Sequence, residues 1–186
     1  IPEGVTRIAM GTFYECNELE SVELPEGLLS IENGKLYVTE SYGAFENCNS
    51  LTNVTIPDSV TSIGDYAFQD CWSLRDFSVD EGNTNYASVD GVLFDKECTT
   101  LIIYPGGHGS VYQIPEGVTS IGEQAFYGRT SLTSVTIPGS VTSVGSYAFF
   151  DCSNLTSVTM LEGVKSVSDH AFGNLSLIHI SEPTRQ

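Results

Sequence analysis

Basic side chains are scarce: 7 Lys and Arg stand against 24 Asp and Glu, a net charge of −17. Such a surface repels phosphate backbones and anionic lipid, which excludes nucleic-acid partners as a class. No apolar run approaches the roughly 18 residues of a transmembrane helix, and the start lacks a charged segment followed by an apolar one. Direct membrane insertion is therefore not expected. Histidine is nearly absent, with three copies. His108 sits in a Gly-rich turn, His170 fills a variable repeat position and His179 lies near the C-terminus, so all three read as solvent-exposed loop residues. G-x-S-x-G, H-E-x-x-H and Gly-rich phosphate loops do not occur, and acids, though plentiful, form no pair the sequence singles out. No catalytic residue, metal ligand or cofactor is assigned, and the chain reads as non-enzymatic.

Turn formers and strand formers are abundant instead. The 18 Gly and 7 Pro punctuate short runs of Val, Ile, Thr and Tyr, and 40% of residues are hydrophobic. That fraction supports a core, and the runs favour strand over helix. Internal repetition is the dominant signal. IPEGVTSIGEQAFYGRTSLTSVT begins at Ile114 and IPGSVTSVGSYAFFDCSNLTSVT at Ile137, a step of 23 residues, and Met160 opens another copy. Earlier copies start at Ile1, Leu24 and Ile56, the step of 32 between the last two implying a nine-residue insertion within 32–43.

The apolar positions superpose in columns. Val5, Leu28, Val60, Val118, Val141 and Val164 form one, and Ile8, Ile31, Ile63, Ile121, Val144 and Val167 a second. Phe13, Phe45, Phe68, Phe126, Phe149 and Phe172 form a third, followed by a Leu column from Leu19 to Leu155 and the column of Val22, Val54, Phe77, Val135 and Val158. A single repeat buries too little to fold alone, so stacked neighbours must complete its core. Within a coil, L-x-x-V-x-I-P is a short strand ended by Pro, which has no N–H to continue a ladder. V-T-S-I-G is a second short strand closed by Gly, and A-F-x-x-C reads as one helical turn. The expected architecture is a repeat solenoid, mainly β with short helical turns, its coils spaced by about 4.8 Å.

The consensus L-x-x-V-x-I-P-x-x-V-T-S-I-G-x-x-A-F-x-x-C resembles the BspA-like, or treponemal-type, leucine-rich repeat of bacterial surface proteins. The likeness runs nearly to residue 174. It implies a right-handed curved stack of 23-residue coils on a secreted or surface-anchored protein, with adhesion or host-protein binding as the usual role.

Residues 79–113 depart most from the repeat. Val92 to Phe94 and Leu101 to Tyr104 read as strands of a hairpin within a variant coil. Asp80, Asn83, Asn85 and Asp90 cluster oxygen ligands, but their offsets do not fit an EF-type loop, so turn-forming roles are favoured over calcium. Cys16, Cys48, Cys71 and Cys152 share one repeat position, which Arg129 takes in the coil without one. Nothing has C-x-x-C spacing, so the four are expected as a structural column of weakly hydrogen-bonding thiols, with Cys98 outside it. Residues 175–185, LSLIHISEPTR, resemble the in-frame translation of a transposon-based sequencing adapter. Residues 1–174 are accordingly expected to be a fragment cut at both ends, with 175–186 a non-native tail.

A ligand is expected to meet the outward residues of the L-x-x-V-x-I strands: Ser21, Asn53, Asp76, Ser134 and Ser157, then Glu23, Thr55, Ser78, Thr136 and Thr159. Glu20 and Arg75, and the aromatics Tyr37, Tyr42, Trp72, Tyr86 and Tyr104, are further candidates. The expected partner is a protein or glycan at a surface, with oligomeric state open. A structural spacer, or repeats flanking the catalytic domain of a larger secreted enzyme, remain the alternatives.

Overall fold

The computed structural model describes residues 1–36, 40–176 and 179–181. Two compact units divide it: Ile1–Glu97 with Pro105–His108, and Cys98–Tyr104 with Gly109–Gln186. Each is a stack of short-stranded coils, and no helix occurs among the described residues.

The first unit holds β1 (Arg7–Ile8), β2 (Ser30–Ile31), β3 (Asn33–Leu36), β4 (Glu40–Gly43), β5 (Asn53–Ile56), β6 (Ser62–Ile63), β7 (Asp76–Val79), β8 (Tyr86–Val89) and β9 (Val92–Asp95). β1, β2 and β6 form a parallel ladder in which Ile8, Ile31 and Ile63 are register partners. β5 and β7 pair in parallel, Asn53 beside Asp76 and Thr55 beside Ser78. The insertion after β2 is the antiparallel hairpin β3–β4; residues 37–39, and with them Tyr37, lie outside the described residues.

The second unit holds β10 (Thr100–Ile103), β11 (Val111–Gln113), β12 (Ser120–Ile121), β13 (Ser134–Ile137), β14 (Ser143–Val144), β15 (Ser157–Met160), β16 (Ser166–Val167) and β17 (His179–Ser181). One parallel ladder runs β10, β12, β14, β16 and another β11, β13, β15, β17. β10 through β14 alternate as half-buried strands should: in β13 Val135 and Ile137 are buried while Ser134 and Thr136 face outward, whereas both residues of β16 are exposed. The two apolar runs read as strands in 79–113 are β9 and β10, one in each unit. β17 brings residues 179–181 of the tail alongside β15, while 177–178 and 182–186 lie outside the described residues.

The A-F-x-x-C segment corrects one expectation. Three-residue turns such as Cys48 N–H to Phe45 O (3.2 Å) form there, but alternate N–H groups donate to the next coil instead of closing a helix. Phe45 N–H reaches Ala67 O at 2.8 Å and Asn47 N–H reaches Gln69 O at 3.0 Å; Phe126 and Phe149 repeat the first bond to Ala148 and Ala171. The segment is a third inter-coil ladder. Left-handed backbone at Asn47 (φ 62°), Asp70 (54°) and Asp151 (58°) ends each turn, a conformation short polar side chains tolerate.

Packing follows the ladders. The rings of Phe13, Phe45 and Phe68 stack at 4.9 and 5.2 Å, nearly parallel. In the second unit Tyr104, Phe126, Phe149 and Phe172 stack at 4.9, 4.6 and 5.1 Å. Those separations match the spacing of hydrogen-bonded strands, so backbone pairing and ring stacking impose the same rise per coil.

Candidate polar recognition site

The outer edge of β7, which no further strand of the first unit pairs in the ladder, is where the site is built. Phe77 N–H donates to Gly91 O (2.8 Å), and Ser88 Oγ donates to Phe77 O (2.6 Å). Gly107 N–H donates to Leu74 O (2.7 Å), and His108 Nδ1 lies 2.8 Å from Arg75 O, so it donates there. The groups a further strand would have paired are thus taken up by the β8–β9 turn and a histidine. Asp90 (φ 48°) and Gly91 (φ 79°) both have positive φ, the geometry of the tight hairpin turn for which Asp-Gly is preferred. A Cβ at Gly91 would sit 2.3 Å from Asp76 Oδ1, so glycine also lets that carboxylate lie against the turn.

The result is an open concavity of about 780 Å³ lined by Asn53, Thr55, Asp76, Ser78, Ser88 and Gly91, with Phe77 and Val79 beneath. At other repeat positions hydroxyls are spent on structure: those of Thr52, Thr61, Thr133 and Thr156 donate to a carbonyl of the preceding coil. Those of Thr55 and Ser78 face the concavity. One amide, one carboxylate and the hydroxyls of Thr55 and Ser78 therefore line a shallow surface, with Ser88 Oγ, already donating to Phe77 O, able only to accept; the set suits hydrogen-bonded recognition of a polar ligand. His108 Nδ1 stands 3.8 Å from Asp76 Oδ1, which places the imidazole at the rim.

Of the residues expected to contact a ligand, Asn53, Thr55, Asp76 and Ser78 converge here, and exposed Arg75 adjoins them. Ser134, Thr136, Ser157 and Thr159 lie together on β13 and β15 of the second unit, half-exposed. Glu20, Ser21 and Glu23 are exposed in the first coil but belong to no strand; Glu20 O instead accepts from Thr52 N–H. Two aromatic candidates are corrected. Tyr86 is 9% exposed with its hydroxyl accepting from Ile63 N–H, and Tyr104 is fully buried in the ring stack. Tyr42 packs on Tyr14 at 4.5 Å, and Trp72 remains 40% exposed. His108, read as a solvent-exposed loop residue, has a side chain only 20% exposed because it caps β7. Ser88, Gly91 and His108 were missed as site residues, and the Asp-Gly dipeptide at 90–91 was the signal that could have found the first two.

Asn83, one of the clustered oxygen ligands, is fully buried and its amide is spent on the backbone. Nδ2 donates to Pro57 O (2.7 Å) and Val60 O (3.0 Å), and Oδ1 accepts from Asn85 and Tyr86 N–H, both at 2.8 Å. Among the described residues no three His, Cys, Asp or Glu side chains converge as metal ligands. The thiols of Cys48, Cys71 and Cys152 are buried and donate to Phe13, Phe45 and Phe126 carbonyls of the preceding coil at 3.2, 3.1 and 2.9 Å. Burial pushes the Cys48 thiol up to about 11 and the Cys152 thiol to about 12. Cys16 departs from the buried column: it lies exposed in the first coil, with no described coil before it to cover its thiol. Arg129, at the equivalent position, is 4% exposed and donates through Nε to Tyr104 O at 2.8 Å, the bond a thiol makes elsewhere.

These coils, ladders and ring stacks define a leucine-rich-repeat β-solenoid. The family described as BspA type leucine rich repeat region matches in six copies over residues 1–88, 37–103 and 110–185, and the chain belongs to it. Among solved structures, the pneumococcal vaccine antigen PcpA is similar at 24% identity, covering 89% of this chain and 51% of its own, with a TM-score of 0.67. A leucine-rich cell surface protein from Faecalibacterium prausnitzii is similar at 24% identity, covering 94% and 62%, with a TM-score of 0.61. A leucine-rich repeat protein from Eubacterium ventriosum follows at 22% identity, covering 89% and 61%, with a TM-score of 0.52. The chain thus spans between about half and under two thirds of each. No curated protein matches it. Among the described residues no helix is long and apolar enough to cross a membrane.

Proposed function

We propose that the chain is a non-enzymatic interaction module of a secreted or cell-surface bacterial protein, and that the concavity beside β5 and β7 binds a polar protein or glycan ligand. The observation that carries this reading is the convergence of Asn53, Thr55, Asp76, Ser78 and Ser88 around open space beside the outer edge of β7. The family assignment and the description of one similar structure as a cell surface protein support the location. Adhesion to host or neighbouring-cell material is the role such a surface serves.

The test is direct binding of immobilised protein to extracellular-matrix proteins and to a glycan array at physiological salt. A bound ligand should be lost on Ser78→Arg, which fills the concavity, and retained on Ser157→Arg in the second unit. Binding that survives Ser78→Arg moves the site elsewhere. Silence across both panels leaves the spacer role as the better account.

A further inference from the structure

The turn face of the second unit carries an aromatic patch that the repeat does not require. One residue after each stacking Phe stand Tyr127, Phe150 and Gly173, and two residues before it stand Gln124, Tyr147 and His170. Tyr147 and His170 stack at 5.0 Å and 3°, Tyr127 and Phe150 at 5.6 Å and 16°, and Tyr147 meets Phe150 edge-on at 5.3 Å. Tyr127, Tyr147 and Phe150 are half-exposed, and His170 is exposed.

One detail shows that the fold bears a cost for the Tyr147 ring. Gln124 (φ 57°), Tyr147 (φ 56°) and His170 (φ 55°) all occupy left-handed backbone, a conformation natural for glycine and, of these three, most strained for the bulky Tyr147. In the first unit the same column carries Gly11 at φ 65°. Phe150 lies close over Gly173, where a Cβ would come within 2.7 Å of Phe150 Cδ2 and make the ring shift. Glycine or asparagine at 147 would serve the coil at less strain, so the aromatic side chains are not there for the backbone.

The rim is of one charge. Segments 122–128, 145–151 and 168–174 contain no Lys or Arg and carry Glu123, Asp151 and Asp169, which directly flank the two aromatic columns in the chain. Arg129, the next cation along, is buried on Tyr104 O. Gln124, in the aromatic column itself, is 8% exposed, and its Oε1 finds no hydrogen-bond donor among the described residues.

We propose that this patch docks an arginine-bearing segment of a basic partner protein. A guanidinium is the one protein side chain that stacks on aromatic faces while donating in a planar fork to carboxylates, and it is weakly hydrated enough to lose water there. The net charge of −17 steers basic partners toward the chain. A neutral sugar would use the rings but bring no cation to Glu123 and Asp169, while Asp151 already accepts from Asn174 Nδ2. The site is separate from the β5–β7 concavity, so either can fail without the other.

The test uses the full chain and a fluorescein-labelled peptide of about twelve residues carrying spaced arginines in a Gly/Ser background. Its citrulline counterpart, its lysine counterpart and neutral oligosaccharides serve as comparisons. The arginine peptide should bind at least about tenfold more tightly than the citrulline peptide, and more tightly than the lysine one. Tyr147→Gly should abolish that preference while melting no lower than the parent, because glycine suits the left-handed backbone. Glu123→Gln with Asp169→Asn should weaken binding and flatten its salt dependence. Equal binding of arginine and citrulline peptides, undiminished binding by Tyr147→Gly, or selective binding of an oligosaccharide would each overturn the proposal.

Discussion

Asn83 is the side chain whose removal should cost the first unit most per atom. It anchors the start of β8 to the preceding coil through four hydrogen bonds, two donated to Pro57 O and Val60 O and two accepted from Asn85 and Tyr86 N–H. Asn83→Ala strands the buried Tyr86 N–H, which alone costs about 1–3 kcal/mol, and forfeits the other bonds at about 1 kcal/mol or less each. The sum, about 3–5 kcal/mol, is a large share of a domain's usual stability of about 5–15 kcal/mol. Urea unfolding followed by Trp72 fluorescence should show it. With a slope of roughly 2–3 kcal/mol per molar, the midpoint falls by about 1–2 M. Asn83→Asp adds a second reading. It keeps acceptors for the two N–H groups but buries a charge facing two carbonyl oxygens, so its folded-state pKa must rise above the unfolded value of about 3.9. A raised carboxyl pKa means that the folded state binds the proton more tightly, so this variant should regain stability as pH falls from 7 toward 4. A midpoint shift under about 0.3 M for Asn83→Ala, or no acid rescue of Asn83→Asp, refutes the clamp.

Three further outcomes follow from the buried columns. Thiols held near 11 and 12 leave roughly a thousandth of Cys48 and a ten-thousandth of Cys152 as thiolate at pH 8. Mass spectrometry after native iodoacetamide treatment should therefore find Cys16 modified and those two untouched until urea is added, whereas equal labelling would mean the column is open. Phe126→Ala removes a fully buried ring stacked on both sides and should cost about 3–5 kcal/mol in thermal unfolding. Phe172→Ala, half-buried and stacked on one side, should cost clearly less; equal losses would deny that burial sets the scale. Glu46 has its carboxyl raised by burial, against the lowering bond from Gly43 N–H, with Asp70 and Glu15 adding to the rise. Because protonation relieves that penalty, Glu46→Gln should stabilise the protein at pH 7 by an amount that shrinks toward pH 4. A gain constant across pH would place its cause outside the titration.

Columns were legible because a solenoid repeats its chemistry with its geometry. Phe45 and Phe68 recur 23 residues apart, and their rings stand 5.2 Å apart in parallel planes. Outward positions were legible for the same reason: strand alternation alone brought Asn53, Thr55, Asp76 and Ser78 to one surface. What period could not reveal is whatever breaks it. In 79–113 the F-x-x-C of a normal coil has become Tyr104-Pro105-Gly106-Gly107. Tyr104 therefore read as a free aromatic, although its ring takes the Phe place in the stack. The bond from Arg129 Nε to Tyr104 O, in the position of the Cys152 bond to Phe126 O, is what gives the substitution away.

The same logic separates the two faces proposed for binding. At β7 the break in period creates the surface: Ser88, Gly91 and His108 come from one irregular segment and close an edge that another regular coil would have covered. On the turn face of the second unit the period is unbroken and only its occupants change. Tyr147 and His170 take left-handed backbone that costs them energy, with no buried packing to repay all of it. Left-handed backbone is least costly for glycine, asparagine and aspartate, as at Gly11 in the same column and at the turn ends Asn47 and Asp70. Ring stacking with Phe150 and His170 offsets part of that strain, and Tyr147→Gly measures the rest, since it removes the strain and the ring together.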